Sequence, residues 1–160
     1  MSDGVQVEVV IFAKEPVPGR VKTRLQPELS PQESVTLYRA FLRDVLELVG
    51  GWCGGRATSR ATLAWSGGAD AEVFALADEL SMAVVDQGEG DLGARMRRAV
   101  EGARGRGAER VIVVGTDSPT LSEEHLDLTL QLLGRCDVVW GPSFDGGYYL
   151  VGIATDEASS

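Results

Sequence analysis

The chain has 160 residues, of which 44% are hydrophobic and 24% charged, as expected of one globular domain with a packed core. Its net charge of −9 argues against non-specific binding to nucleic acids or anionic lipids. The longest apolar segment, 5–13, contains two polar residues and is too short for a membrane helix, which needs about 20 apolar residues. It also lacks the features of a signal peptide. We therefore expect a cytoplasmic protein that binds neither nucleic acid nor membrane.

Strand-like and helix-like segments alternate along the chain, beginning with a buried strand. Short apolar runs predict strands, and apolar residues at helical spacing predict helices. The predicted strands are 7–13, 61–65, 82–85, 110–114, 137–140 and 148–153, and the predicted helices are 31–49, 71–80, 92–104 and 122–133. This alternation predicts a Rossmann-like three-layer α/β/α sandwich with a mostly parallel sheet covered on both faces. No linker divides the chain, so we expect a single domain over 1–160.

The first helix has sequence signals at both ends. Ser30 is a candidate N-cap, Pro31 suits the first helical position, and Glu33 lies three residues after the cap. Gly50 and Gly51 predict the end of the helix, because glycine commonly terminates helices. The segment from 52 to 60 is then expected to be a loop.

The loop after the first strand concentrates positive charge on an acidic chain. Its cations are Lys14, Arg20, Lys22 and Arg24, against the single carboxylate of Glu15. Two prolines restrict the backbone, and Gly19 lets it turn. Ligands of such sheets bind beyond the carboxyl ends of the strands, so stiffly held cations there predict a polyphosphate site. A solvated basic loop is the alternative. This loop contains neither a P-loop nor a GxGxxG motif.

The loop after the third strand is rich in glycine, which allows a ligand to approach the backbone closely. Asp91 is a candidate cap for the following helix as well as a candidate ligand contact. On that helix, Arg95, Arg97 and Arg98 are interpreted as a solvated face. Arg95 is also near enough to Gly93 to reach a ligand.

Two aspartates follow later strands. Asp117 comes directly after a fully apolar strand, where a carboxylate can hold Mg²⁺ or Mn²⁺ together with substrate phosphates. Its alternative role is to cap the turn before Pro119. Asp145 precedes two glycines, and Asp-Gly is also a common turn dipeptide. Tyr148 and Tyr149 come next and either form a wall for a sugar or base or fill the core.

Four of these loops together resemble one family, the glycosyltransferase-A-like proteins of the DUF2064 type, also called radical-SAM/selenodomain-associated transferase 1. The motifs occur in the family's order over nearly the whole chain. They are FAKEP and PGRVKTRL within 12–25, GDLG and RM within 90–96, GTDSP at 115–119, and GPS and DGGYYL within 141–150. The KTRL piece is also similar to phospholactate guanylyltransferases, which share the nucleotide-diphospho-sugar transferase fold.

The resemblance implies the GT-A fold, a nucleotide beside the first loop, and Mg²⁺ or Mn²⁺ held by Asp117. The implied nucleotide-binding residues are Lys14, Gly19, Arg20, Lys22, Thr23, Arg24, Asp91 and Gly93. The candidate catalytic residues are Lys22, Asp117 and Asp145, and the candidate acceptor-binding residues are Asp145, Gly146, Gly147 and Tyr148. Family members usually continue past the DGGYYL strand, so we expect a C-terminally truncated form of the fold, without the wall that closes the acceptor site.

Three functions are compatible with these residues. The leading expectation is a metal-dependent glycosyltransferase that uses a nucleotide-diphosphate sugar and a small-molecule acceptor. The first alternative is a nucleotidyltransferase that releases pyrophosphate from a nucleoside triphosphate, since the same cations and metal serve both reactions. The second alternative is a non-catalytic nucleotide-binding module. The sequence leaves the base, sugar, acceptor and oligomeric state open.

Overall fold

The computed structural model describes residues 6–21, 28–116, 121–143 and 147–155. Strands and helices alternate in this part of the chain, close to the predicted order. In chain order the elements are β1 (Val7–Lys14), α1 (Pro31–Gly54), β2 (Ser59–Ser66), α2 (Ala71–Glu79), β3 (Ala83–Asp86), α3 (Leu92–Gly105), β4 (Arg110–Val114), α4 (Glu123–Leu132), β5 (Val138–Pro142) and β6 (Tyr148–Ala154).

The strands form one six-stranded sheet in the order β3-β2-β1-β4-β6-β5. The pairs β1–β2, β1–β4 and β2–β3 are parallel, whereas β6 runs antiparallel to both β4 and β5. The chain moves from β1 to one edge of the sheet and then crosses back to β4 on the other side of β1. The gap between β1 and β4 is therefore the topological switch point, where sheets of this kind bind their ligands.

Helices cover both faces of the sheet, which confirms the predicted three-layer α/β/α architecture. Alternate residues of β1 point to opposite faces. Val9 and Ile11 join the larger core beneath α1, α2 and α4, while Val10 joins a smaller core beneath α3. The α3 face is less completely covered near β5, where Trp140 is 57% exposed.

The start of α1 confirms the predicted capping box. Ser30 Oγ accepts the backbone N–H of Glu33 at 3.1 Å, and the Glu33 carboxylate accepts the N–H of Ser30 at 2.7 Å. Pro31 occupies the first turn, where its missing N–H costs no hydrogen bond.

The predicted end of α1 at Gly50 and Gly51 is wrong, because the helix continues to Gly54. The extra turn buries Trp52 and Cys53 in the main core. A Cβ at position 50 would lie 3.2 Å from Leu80, so the glycine there serves close packing rather than helix termination. The segment expected to be a loop from 52 to 60 is accordingly helix at its start and strand β2 at its end.

The amino end of β1 carries a buried ion cluster, at the opposite edge of the sheet from the switch-point loops. The side chain of Glu8 is fully buried and forms ion pairs with Arg60 and Arg106. Thr62 Oγ1 donates a further hydrogen bond to it at 2.7 Å. Burial alone would raise the pKa of Glu8, but the hydrogen bonds from Arg106 and Thr62 and the two positive charges outweigh it and hold that pKa below its ordinary value.

Both cysteines are free, and Cys53 is buried in the main core. Burial raises the pKa of the Cys53 thiol to about 12, against a smaller opposing effect of the Arg56 charge. This thiol is therefore protonated at neutral pH, as suits a small apolar core residue. Among the described residues, no helix is both long and apolar enough to cross a membrane.

Candidate functional site

Because parallel strands run in the same direction, the loops that follow them lie at the same edge of the sheet. At this edge the first loop begins after Lys14, the β2 loop after Ser66, the β3 loop after Asp86 and the β4 loop after Val114. The antiparallel strand β6 begins at the same edge, with Tyr148. We refer to the five segments together as the site edge. Most of the candidate site residues that the structure describes belong to it.

The hydroxyl of Tyr38 joins the ends of β1 and β4 at the switch point. The backbone N–H of Lys14 donates to this oxygen at 2.9 Å, and the hydroxyl lies 3.1 Å from the Lys14 carbonyl, to which it donates. Thr116 Oγ1 lies 3.3 Å from the same hydroxyl and 3.4 Å from the carbonyl of Phe12. Tyr38 therefore fixes the start of the basic loop beside the residue that precedes Asp117.

The described part of the basic loop exposes its cations. Lys14 and Arg20 are exposed, and their side chains have no hydrogen-bond or ion-pair partner among the described residues. Gly19 has a φ of +81°, as the turn at this position requires. Val21 is fully buried and anchors the loop to the core. The loop is thus held at both ends while its charges remain available to an anion.

The carboxylate in the basic loop, Glu15, ties that loop to the loop after β2. It accepts the backbone N–H of Gly68 at 2.7 Å. Gly67 adopts a φ of +110°, and a Cβ there would lie 2.7 Å from the Cβ of Glu15, so only glycine allows this approach. Glu15 therefore has a structural partner and links the first loop to the loop after β2.

Gln87 connects three strands at the site edge. Its Nε2 donates to the carbonyls of Ala13 and Ala64, at 2.9 and 3.0 Å, near the ends of β1 and β2. Its Oε1 accepts from Arg95 Nη1 at 3.3 Å. The same nitrogen of Arg95 lies 3.4 Å from Ser66 Oγ. The side chain is buried, and all its polar atoms have partners.

The prediction of a solvated arginine face on α3 is incomplete, because two of its three members also hydrogen-bond to the loop before the helix, although Arg98 remains exposed. Arg95 Nε donates to the carbonyl of Gly90 at 2.9 Å. Arg98 donates to the carbonyls of Gln87 and Glu89, the latter at 3.0 Å. Sequence periodicity placed both residues on the polar side of α3, but it could not reveal that the loop before the helix folds back over that side. Only Arg97 lacks a partner within the described residues.

Asp91 caps α3, as predicted. Its Oδ1 accepts the backbone N–H of Ala94 at 2.8 Å. Gly93 lies in the exposed first turn of the same helix. Both residues belong to the site edge, and their role as nucleotide contacts stays a prediction.

Several predicted site residues lie outside the described part of the chain. They are Lys22, Thr23, Arg24, Asp117, Asp145 and Gly146. Of the predicted acceptor residues, Gly147 and Tyr148 are described. The carbonyl of Gly147 accepts the N–H of Ser143 at 2.9 Å, which closes the loop between β5 and β6.

Tyr148 is half-exposed and packs edge-to-face on Trp140, with ring centroids 4.8 Å apart. Sequence reasoning missed Trp140, which it placed in a strand without a role. Its signal was a large aromatic residue in a strand that ends near the site edge. Tyr149 instead turns toward α4, where its ring lies 5.5 Å from that of His125. The two consecutive tyrosines thus have different environments.

A divalent cation at the site edge would need carboxylate ligands. Within the described residues, no group of three or more His, Cys, Asp and Glu side chains is placed to hold a metal ion. Asp86 Oδ1 accepts the N–H of Gly88 at 2.6 Å, and Asp91 is engaged as a cap. Oxygen donors of Asp117 and Asp145 are of the type that Mg²⁺ prefers. The metal prediction therefore depends on these two aspartates.

A family model decides the relationship of the chain to known proteins. The model of DUF2064, described as an uncharacterized protein conserved in bacteria, matches residues 52–159. The chain belongs to the DUF2064 family. The match includes three of the four motifs, and the basic loop precedes it.

The DUF2064 chain is also similar to curated enzymes. It is 31% identical over 127 residues to the 2-phospho-L-lactate guanylyltransferase of Methanothermobacter thermautotrophicus, and 26% identical over 127 residues to that of Methanobrevibacter smithii. Each match includes 79% of this chain and 53% of the relative. The chain thus spans about half the length of these two relatives.

Solved structures agree with the fold. A Desulfovibrio desulfuricans G20 protein assigned to the nucleotide-diphospho-sugar transferases superimposes with a TM-score of 0.80 at 31% identity, over 99% of this chain and 66% of that one. The 4-diphosphocytidyl-2C-methyl-D-erythritol synthase of Anaerococcus prevotii superimposes with a TM-score of 0.61 at 12% identity, over 96% of this chain and 71% of that one. These similarities confirm the expected nucleotide-diphospho-sugar transferase fold.

Proposed function

We propose that this DUF2064 chain is a nucleotide-dependent transferase whose reaction is nucleotidyl transfer. The observation that carries the proposal is the Tyr38 contact, which holds the start of a cation-rich loop beside the end of β4. Lys14 and Arg20 extend from that loop without partners among the described residues. Unpaired cations at a switch point suit a polyphosphate. The four cations in the sequence of this loop favour the more highly charged triphosphate over a diphosphate.

In the proposed reaction, a phosphate oxygen of the acceptor attacks the α-phosphorus of a nucleoside triphosphate. A bond forms between that oxygen and the α-phosphorus, and the bond from the α-phosphorus to the oxygen that bridges it to the β-phosphate breaks. The electron pair of the broken bond leaves with pyrophosphate. Lys14, Arg20, Lys22 and Arg24 would stabilise the negative charge on the triphosphate.

Asp117 and Asp145 complete the proposed site. Mg²⁺ or Mn²⁺ held by Asp117 would supply further charge neutralisation for the departing pyrophosphate. Asp145 would orient the acceptor, in a loop that Ser143 and Gly147 close by a backbone hydrogen bond. Asp91 and Gly93, at the start of α3, would contact the nucleotide, while Tyr148 would contact the acceptor.

Glycosyl transfer from a nucleotide-diphosphate sugar is the second candidate, and the similarity to the Desulfovibrio protein favours it. The two reactions differ in the bond that breaks. Glycosyl transfer cleaves the bond from the anomeric carbon to the diphosphate, so it releases a nucleoside diphosphate and no pyrophosphate. The guanylyltransferase relatives favour the first candidate.

The released product distinguishes the two reactions. The chain is incubated with GTP, CTP, UTP or ATP, Mg²⁺ or Mn²⁺, and 2-phospho-L-lactate as the acceptor probe, and pyrophosphate is measured. A parallel series measures nucleoside diphosphate released from UDP-, GDP- and ADP-sugars. Pyrophosphate release from GTP is the expected result. Nucleotide binding without turnover in either series would instead support the non-catalytic module.

The role of Asp117 is tested in the same assay. Asp117→Asn is expected to lower turnover about 100-fold or more, because the amide cannot replace the charge of a metal-binding carboxylate. Asp44→Asn is the matched control, since Asp44 is exposed on α1 and should leave turnover unchanged. Equal activity of the two variants would contradict the metal role of Asp117.

A further inference from the structure

The loop between β3 and α3, residues 87–91, is held by arginine side chains of α3 in addition to the backbone hydrogen bond from the Gln87 N–H to the Trp65 carbonyl. Three of its carbonyls accept hydrogen bonds from arginines of α3: those of Gln87 and Glu89 from Arg98, and that of Gly90 from Arg95. Both arginines are on the helix that the loop itself introduces. The loop and the first two turns of α3 therefore form one unit.

These contacts determine where the backbone N–H groups of the loop point. In a planar peptide the N–H points opposite to the carbonyl of the preceding residue. Because the carbonyls of Glu89 and Gly90 point toward the arginines, the N–H groups of Gly90 and Asp91 point away from α3. Neither N–H has a hydrogen-bond partner within the described residues. The arginines thus present two unpaired donors together.

Backbone conformation and packing restrict this arrangement to the residues present. Gly88 and Gly90 have φ values of +77° and +103°, which favour glycine. A Cβ at Gly88 would collide with the guanidinium group of Arg98. Gln87 links the base of the loop to β1 and β2 through the carbonyls of Ala13 and Ala64. The loop is accordingly fixed relative to the strands that carry the rest of the site edge.

We propose that Gln87, Arg95 and Arg98 are positioning residues, which fix the 88–91 loop so that its unpaired N–H groups face the nucleotide. The inference rests on the proposed function, because the nucleotide is the ligand that the loop would meet. On this proposal the two arginines do not bind phosphate themselves. Arg95 Nε and Nη1 and both terminal nitrogens of Arg98 are already directed to loop carbonyls, Ser66 and Gln87.

Arg95→Lys tests the proposal, since lysine keeps the charge but cannot reach Gly90, Ser66 and Gln87 together. We expect the backbone ¹⁵N order parameters of 88–91 in the free protein to fall below about 0.6. We also expect the Kd for GTP to rise about tenfold, because binding must then order the loop. Arg97→Lys is the matched control: its order parameters should stay at the wild-type values, and its Kd within about twofold of the wild type.

The salt dependence of GTP binding separates positioning from direct phosphate contact. A positioning role predicts that Arg95→Gln raises the Kd without changing the slope of log Kd against log salt concentration. A direct contact predicts a shallower slope, because one cation is lost from the phosphate site. A shallower slope, or a loop that stays ordered in Arg95→Lys, would overturn the proposal.

Failure of the proposed function has a different signature. A wild-type chain that binds none of GTP, CTP, UTP and ATP would reject the proposed function, and with it the nucleotide as the ligand of this loop. The order parameters of Arg95→Lys would still decide whether the arginines hold the loop. Binding by the wild type, with an unchanged Kd in Arg95→Lys, would reject the positioning inference alone.

Discussion

At the scale of single residues, one hydroxyl group holds two strand ends together. Tyr38 contacts the backbone of Lys14 and the side chain of Thr116, which are separated from it by 24 and 78 positions in sequence. No pattern within α1 distinguishes this tyrosine from an ordinary core aromatic. The same is true of Gln87, whose partners Ala13 and Ala64 belong to two other strands. Contacts of this kind could not be predicted from the sequence, because they depend on how distant segments meet.

Tyr38→Phe should destabilise the chain by about 1–2 kcal/mol, because it removes buried hydrogen bonds and leaves the Lys14 N–H without that partner. Urea unfolding followed by circular dichroism measures the difference. Tyr148→Phe is the control, since Tyr148 is half-exposed and lies in no such contact. Equal stability of both variants would show that the Tyr38 hydroxyl contributes nothing to the fold.

Glu8 makes the stability depend on acid pH. Its pKa is lowered in the folded chain from an ordinary value of 4.5, so its stabilising contribution is fully present above pH 4.5 and is lost as the pH falls through the folded pKa. Glu8→Gln should lower the free energy of unfolding by about 2–3 kcal/mol at pH 7. The loss should be smaller than for breaking a fully buried ion pair, because both arginines reach solvent.

The difference between wild type and Glu8→Gln should then shrink at low pH, because protonation already removes the Glu8 charge in the wild type. Urea unfolding of both proteins at pH 7 and at pH 3.5 measures it. Asp70, whose pKa is also lowered, contributes equally in both proteins and cancels in the difference. A difference that is constant with pH would contradict the role given to the Glu8 charge.

At the scale of elements, the strands and helix starts were predictable, and the end of α1 was not. Apolar runs are local signals, as is the capping box of Ser30 and Glu33, and the structure confirms both. Gly50 and Gly51 are local signals too, but burial of Trp52 outweighs the preference of glycine for helix ends. Similarly, the loops after β1, β3 and β4 follow their strands as predicted, whereas the role of the loop after β2 and the arginines that hold the β3 loop were not predicted.

The two glycines of α1 should respond differently to alanine. At position 51 a Cβ meets nothing within 4 Å, so Gly51→Ala should stabilise the chain by about 0.5–1 kcal/mol through the helix propensity of alanine. At position 50 a Cβ would lie 3.2–3.3 Å from Leu80 and Met82, and crowding should cancel that gain or reverse it. Thermal unfolding compares the two variants. A larger stabilisation from Gly50→Ala would contradict this packing.

At the scale of the whole molecule, the net charge and the basic loop act on an anionic ligand in opposite directions. The net charge is −9, yet the loop that begins at Lys14 carries four cations within 14–24. Salt screens the repulsion between the ligand and the net charge, which strengthens binding. It also screens the attraction between the ligand and the basic loop, which weakens binding. The local effect should dominate, because the ligand must contact the loop directly.

Raising the NaCl concentration from about 50 to 500 mM should therefore weaken GTP binding, by about tenfold. Arg20→Gln at low salt should raise the Kd for GTP about fivefold, which corresponds to the free energy of one exposed charge pair. Arg43→Gln changes the net charge equally but removes a cation that pairs with Glu47 on α1, so it should have little effect. Isothermal titration calorimetry measures all three. An equal loss from both substitutions would assign the effect to net charge alone.

The buried amide of Gln87 has one further consequence. A primary amide has two N–H donors and one oxygen acceptor, so a single side chain can donate to carbonyls of two strands and accept from an arginine on its oxygen. Glutamate has almost the same shape but no N–H, so it would leave both carbonyls without this donor. The chemical group at the root of the loop is therefore as restricted as the glycines at its tip.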